Sequence, residues 1–142
     1  FAYKIAWMDL LARRAKVLLE QDRSVVITGD FNVCPTDADV FNIRVMKDDA
    51  LCQAETRAAY RKLLFLGLTD AIDMIGPPGH RYTFWDYQAG AWQRDHGFRI
   101  DHALLSPELA DRIVAAGVDK TYRGREKASD HAPVWVSIAE HA

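Results

Sequence analysis

Three short apolar runs in this chain break on polar clusters. Gly29-Asp30-Phe31-Asn32 follows Val25 to Thr28. Arg99-Ile100-Asp101-His102 lies inside residues 98–105, and Ser129-Asp130-His131-Ala132-Pro133 leads into Val134 to Ile138. Short apolar runs bounded by turn formers read as strands. Carboxylates are disfavoured inside strands, so a fold that keeps Asp101 there needs something to compensate it. Ligand sites in open α/β sheets favour such strand ends. The clusters together supply Asp, Asn, Asp, Asp and His, a set suited to metal-assisted phosphoester hydrolysis.

The runs sit in a mixed pattern. Ile5, Met8, Leu11, Ala12, Ala15, Leu18 and Leu19 recur at spacings of three and four, which predicts an amphipathic helix over residues 3–20. Val25 to Thr28 is β-branched enough for a strand buried on both faces, stopping at Gly29. Pro35, Asp37, Asp39 and Asn42 mark residues 30–48 as a loop. A second helix fits 53–66, closed by Gly67. Thr83 to Tyr87 reads as an aromatic strand and 98–105 as another. Ser106-Pro107-Glu108 opens a short helix to about Val114. Helices and strands alternating in this way predict α/β layers.

Composition narrows the class. The chain has 142 residues, 49% hydrophobic and 27% charged, which suits one domain or a piece of one with a real core. No apolar run approaches the roughly 20 residues that cross a bilayer, so no membrane partner is expected. The chain opens on Phe1, and residues upstream of it are expected. Its net charge of −2 does not decide for or against nucleic acid. Lys120, Arg123, Arg125 and Lys127 read either as a phosphate-backbone patch or as a solvated loop. Cys34 and Cys52 lack ligand spacing and are expected as free thiols in a cytoplasmic protein.

Two residues apart on an extended segment, Asp30 and Asn32 would face one pocket. There Asp30 suits orienting or deprotonating a water, and Asn32 suits binding a phosphate oxygen. The plain alternative is a turn, since Gly, Asp and Asn are turn formers. His131 suits stabilising charge on a phosphate, with Asp101 as the candidate that holds its tautomer. Asp130 is a hard oxygen ligand suited to Mg²⁺. A loop-capping Asp-His pair is the alternative. His102 should point to the opposite strand face from Asp101. His80, His96 and His141 read as surface residues, and Arg57, Tyr60 and Arg61 as ordinary helix-face residues. Tyr82, Phe84, Trp85, Tyr87, Trp92 and Phe98, interleaved with Arg81, Arg94 and Arg99, read both as core and as a DNA-facing surface, with Phe84 and Trp85 on opposite sides.

These motifs resemble the endonuclease/exonuclease/phosphatase superfamily. The stretches Tyr3-Lys4-Ile5-Ala6-Trp7, Leu66-Gly67-Leu68-Thr69-Asp70 and Tyr82-Thr83-Phe84-Trp85-Asp86-Tyr87 are similar to its exonuclease III family. So is Gly97-Phe98-Arg99-Ile100-Asp101. The resemblance implies a DNase I-like, four-layered α/β sandwich with two mixed β-sheets, of which residues 1–142 would be the C-terminal part. It implies a nuclease dependent on Mg²⁺, with Mn²⁺ as the other candidate ion. Its substrates would be duplex DNA with abasic sites or 3′ ends, and its activities would be exonuclease, abasic-site endonuclease and 3′-phosphate removal. Asp30 and Asn32 would act on the attacking water, and His131, braced by Asp101, on the phosphate. Asp130, with Asp30, would belong to the metal. Phe84, Phe98 and Ile100 would line a sugar pocket supported by Trp85.

The family's N-terminal half, with its metal-ligating Glu, has no counterpart here. Glu20, Glu55, Glu108, Glu126 and Glu140 lie in no comparable strand-end motif. The chain alone is therefore expected to cleave little, to expose apolar sheet surface and to dimerise, whereas the completed protein would be a monomer. A superfamily phosphatase on a phosphoinositide or nucleotide, and a non-catalytic DNA-binding fragment, remain open at this stage.

Overall fold

The structure of the chain, a computed structural model, describes residues 1–141. The helices are α1 (Ala2–Glu20), α2 (Ile43–Met46), α3 (Ala54–Phe65), α4 (Ala71–Ile75) and α5 (Pro107–Ala110). The strands are β1 (Val26–Asp30), β2 (Thr69–Asp70), β3 (Asp101–Leu105), β4 (Ile113–Val118) and β5 (Val134–Ile138). No helix among the described residues is long and apolar enough to cross a membrane.

The long helices form as their spacing predicts. Met8, Ala12 and Ala15 are the buried positions of α1. Leu11, Leu18 and Leu19 pack beside them against α3 and the sheet. Gly67 follows α3 in the left-handed region at φ 110°, the conformation that ends helices most easily at glycine.

β3 is central to a three-stranded sheet in the order β1-β3-β2, and β4 pairs with β5 in a second sheet. The side chains of β3 alternate between two cores. Leu104 joins the cluster under α1 and α3, whereas Ala103 and Leu105 join the cluster with β4, β5 and α4. The result is a helix layer, a sheet and a second sheet. The expectation of mixed sheets concerned the whole sandwich, and every ladder among the described residues is antiparallel.

Several expectations need correction. β1 is not buried on both faces: Val26 is 45% exposed, and among the described residues β1 pairs with β3 alone. It also runs through Gly29, whose φ of 144° suits glycine, to Asp30. The loop after it contains a short 3₁₀ turn at Asp37–Asp39 and α2. Thr83 to Tyr87 is not a strand. Phe84 makes single bridges to Phe98 on one side and His131 on the other, and these partners diverge before a ladder forms. The strand expected over 98–105 starts at Asp101, so that carboxylate is terminal rather than interior. The helix expected to Val114 stops at Ala110, and Ile113–Val118 is a strand whose alanines and glycine gave no β signal. Gly117 sits opposite Trp135 there, and a side chain would collide with the indole.

Tyr60 and Arg57 are also not plain helix-face residues. Tyr60 is buried and its hydroxyl donates to Asp70 at 2.6 Å. Arg57 donates to the Cys34 carbonyl and to Asp37. Tyr60 belongs to a buried network centred on Arg99, which is 1% exposed. Arg99 donates to Asp39 at 2.7 Å and to Asp70 at 3.0 Å. Burial pushes the Asp70 carboxyl up, but the charge of Arg99, with His102 and the bonds from Tyr60 and Arg99, outweighs it and leaves it below the ordinary value.

Replacing Arg99 by Met would strand two buried carboxylates. Arg99→Met is expected to cost about 3–5 kcal/mol in urea unfolding near pH 7. The deficit should shrink on acidification, because a buried unpaired carboxylate is penalised in its charged form. A loss under about 1 kcal/mol, typical of an exposed pair, would show that the network does not hold the fold.

Candidate active site

The register of β1 on β3 places Asp30 directly opposite Asp101. Like charges facing across a ladder repel, and both carboxylates lie at the open ends of their strands. The imidazole of His131 sits between them. Its Nδ1 is 2.8 Å from Asp101 Oδ2. A carboxylate accepts, so Nδ1 donates and Nε2 is left to face outward. Nε2 lies 3.7 Å from Asp30 Oδ2 and 3.8 Å from Asp130 Oδ1. Burial raises the Asp101 carboxyl above its ordinary value; hydrogen bonds from His131 and Thr83 oppose the rise, and the Asp30 charge adds to it.

The loop carrying His131 is fixed by its own chemistry. The Ser129 hydroxyl accepts from the His131 N–H at 3.1 Å, and the Asp130 carbonyl accepts from Trp85 N–H at 3.0 Å. A cavity of about 350 Å³ opens beside the imidazole, lined by Thr28, Gly29, Asp101, Ser129, His131 and Pro133 among others. A second, of about 260 Å³, is lined by Lys4, Trp7, Asp30 and Asn32. Asp30 lines the second hollow, and its ladder partner Asp101 lines the first.

Asn32 is not on an extended segment with Asp30. It takes φ 50°, a left-handed conformation that asparagine tolerates. Its N–H donates to the Asp30 carboxylate at 2.9 Å. The turn alternative and the site placement thus coincide: the turn holds the carboxylate. Lys4, absent from the candidate site residues, clamps this loop by donating to the carbonyls of Asn32 and Ala50.

Asp30, Asp101 and His131 each offer a ligand atom within 4.8 Å of the others. Two carboxylates and a nitrogen suit a divalent ion, the carboxylates matching the hard cations. Asp130, expected as a metal residue, stands beside the imidazole and outside that trio.

Of the aromatic candidates, Phe84 is half-buried and packs against His131 at 5.1 Å and Phe98 at 5.9 Å. Phe98 and Ile100 are buried in a cluster with Cys34, Val40 and Cys52. Trp85 is fully buried on the other side, its indole N–H bonded to Asp95 at 2.9 Å. Tyr82 is buried too, so Tyr87 is the strongly exposed ring of the set. In the basic loop, Arg123 is not free for phosphate. It is buried and donates to the carbonyls of Trp85 and Asp86. Lys120, Arg125 and Lys127 remain exposed. His102 faces away from the site as expected. Its Nδ1 accepts from Arg99, so Nε2 donates to the Val33 carbonyl. Cys34 and Cys52 are free and buried.

The sequence pattern of the endonuclease/exonuclease/phosphatase family matches residues 1–131. Exodeoxyribonuclease III of Haemophilus influenzae is 35% identical, over 84% of this chain and 48% of its own length. The 3′ phosphatase NExo from Neisseria, solved bound to a product DNA hairpin, matches with a TM-score of 0.94 at 35% identity, covering 98% of this chain and 54% of that one. An AP endonuclease from Archaeoglobus fulgidus matches with a TM-score of 0.88 at 35% identity, covering 96% and 54%. The chain spans about half the length of the relatives it matches.

The opposed carboxylates generate a stability prediction. Asp30→Asn keeps an acceptor for the Asn32 N–H and removes one charge, so in EDTA it is expected to stabilise the fold by about 0.5 kcal/mol. Destabilisation of similar size in urea titrations would mean that the pair is compensated rather than strained.

Proposed function

The chain belongs to the endonuclease/exonuclease/phosphatase family, and from that we propose that it forms the C-terminal part of a metal-dependent nuclease acting on duplex DNA. Its fold is the α/β, DNase I-like fold of its solved relatives. The solved relatives are named as a 3′ phosphatase and an AP endonuclease, and a sequence relative as an exodeoxyribonuclease. The corresponding proposal is 3′→5′ degradation, removal of 3′-phosphates and incision at abasic sites. The reading includes a cytoplasmic setting, consistent with two free thiols, and a monomeric completed protein.

The observation that carries the reading is the 2.8 Å bond between Asp101 and His131 Nδ1, formed directly opposite Asp30. Asp101 fixes the ring and its tautomer. A proton on Nε2 as well as Nδ1 would let His131 donate to a non-bridging phosphate oxygen and stabilise charge that develops there. Asp30, held by the Asn32 N–H, orients the attacking water and takes its proton. Asn32 lies at the rim, where its side chain suits the phosphate. Of the two carboxylates expected to hold a divalent ion, Asp30 belongs to the trio that could ligate one and Asp130 stands outside it beside the imidazole; the ion, Mg²⁺ or alternatively Mn²⁺, would polarise the phosphate. Phe84, with Phe98 and Ile100 behind it and Trp85 supporting it, forms the apolar wall for a sugar lacking its base.

The test is cleavage of a labelled duplex with one abasic site, in Mg²⁺ and in EDTA, by this chain and by a protein that supplies the remaining half of its relatives' length. Cleavage is expected from the completed protein with Mg²⁺ and not with EDTA, and little is expected from the chain alone. Metal-independent cleavage, or none from the completed protein, would overturn the proposal. In the active form, His131→Ala should lower kcat by about 10²–10⁴-fold with duplex affinity little changed. Equal losses in binding and turnover would remove the transition-state role of His131.

A further inference from the structure

Asp101 and His131 come from segments 30 residues apart in the chain, and a single buried residue joins their backbones. Thr83 is 0% exposed. Its Oγ1 accepts from the Ile100 N–H at 3.0 Å and from the Asp101 N–H at 3.1 Å. Its carbonyl accepts from the Ala132 N–H at 2.8 Å, and its own N–H donates to the Phe98 carbonyl at 2.9 Å. The next residue, Phe84, bridges to both Phe98 and His131. Thr83 therefore touches the chain at Asp101 on one side and immediately after His131 on the other.

We propose that Thr83 is the positioning residue that sets the Asp101–His131 pair, its hydroxyl fixing the carboxylate's strand and its carbonyl fixing the imidazole's loop. Strand β3 starts at Asp101. Its first N–H groups point at the hydroxyl, where a ladder partner would otherwise stand. Removing the acceptor orphans one buried and one partly buried donor, and a buried donor left unmet costs about 1–3 kcal/mol. Where the new side chain leaves no room for water, as in valine, they recover partners by moving the backbone that carries Asp101. The β-branched side chain restricts χ1, so the hydroxyl is aimed rather than free to rotate. A threonine suits the place because a valine has the shape without the acceptor and a serine has the acceptor without the restraint. A displacement of about 1 Å would break the 2.8 Å bond, and misplacement of that size can cost about 10²-fold in rate.

This inference deepens the nuclease reading and rests on it for what the pair does, so its test has two readouts. The first is the downfield proton NMR resonance of His131 Nδ1–H, which reports the bond to Asp101 whether or not the protein cleaves DNA. The second is kcat and KM on the abasic duplex in the completed protein. Wild type and Thr83→Ser are expected to keep the resonance. Thr83→Val is expected to lose it and to lower kcat by about 10²-fold, with KM changed much less. Thr83→Ala leaves room for a water at the vacated hydroxyl and should fall between Ser and Val, which keeps the test decisive should Val fail to fold. Leu63→Ala, which opens a cavity in the core under α3, is the control for destabilisation alone and should keep the resonance.

A resonance and kcat in Thr83→Val and Thr83→Ala equal to wild type would overturn the inference. So would an equal kcat loss in Leu63→Ala at matched stability. A wild-type protein that shows the resonance, loses it in Thr83→Val and cleaves no DNA would sink the nuclease reading and leave the positioning role standing.

Discussion

The arrangement depends on one buried cation. Arg99 lies two residues before Asp101 and is almost wholly enclosed. Its guanidinium joins Asp39 from the loop after β1 to Asp70 from β2, and through Asp70 reaches Tyr60 on α3. Desolvating these charges costs several kcal/mol per ion, and it is offset only when all the partners are in place together. Such a network adds little net stability over apolar packing, yet it leaves few alternatives for the entry to β3. That fixes the antiparallel register in which Asp30 meets Asp101.

The site uses this rigidity against local preference. Two carboxylates face each other across a ladder, one of them raised by burial. Asn32 holds a left-handed conformation, and an imidazole from a separate loop is wedged between the acids. The facing carboxylates and the left-handed asparagine are each unfavourable in isolation, and the imidazole offsets the first. Each is held by neighbouring groups: Lys4 on the Asn32 carbonyl, Ser129 under the His131 N–H, and Thr83 between the segments that carry Asp101 and His131. The aromatic residues follow the same division. Trp85, Tyr82 and Phe98 are core, with Arg123 and Lys120 packed against the Trp85 side, and Phe84 alone of that wall reaches the imidazole.

Much of this was legible beforehand, and the rest failed for identifiable reasons. Helical spacing located α1 and α3 because their buried positions recur at three and four. Turn formers marked where β1 opens into its loop. Strand β4 was missed because Ala115, Ala116 and Gly117 carry little β preference, and it exists because Trp135 and its neighbours on β5 pair with it. The aromatic run at residues 83–87 looked like a strand because its residue types favour one, but its bridges lead to two different partners. Tyr60 and Arg57 read as ordinary helix-face residues because their partners, Asp70, Asp37 and the Cys34 carbonyl, lie ten or more residues away in sequence.

The sequence by itself determined the chemical inventory: which acids, which imidazole and which amide border strands, and that the chain folds as α/β layers. Those properties are local, written in residue type and in periods of two and 3.6. Only the tertiary structure decided that Asp30 stands opposite Asp101 in the ladder, that Asn32 serves Asp30 through its backbone, and that Thr83 joins the two halves of the pair. Those outcomes depend on long-range register and on which buried N–H groups remain to be satisfied. Neither quantity is a property of any short stretch of chain.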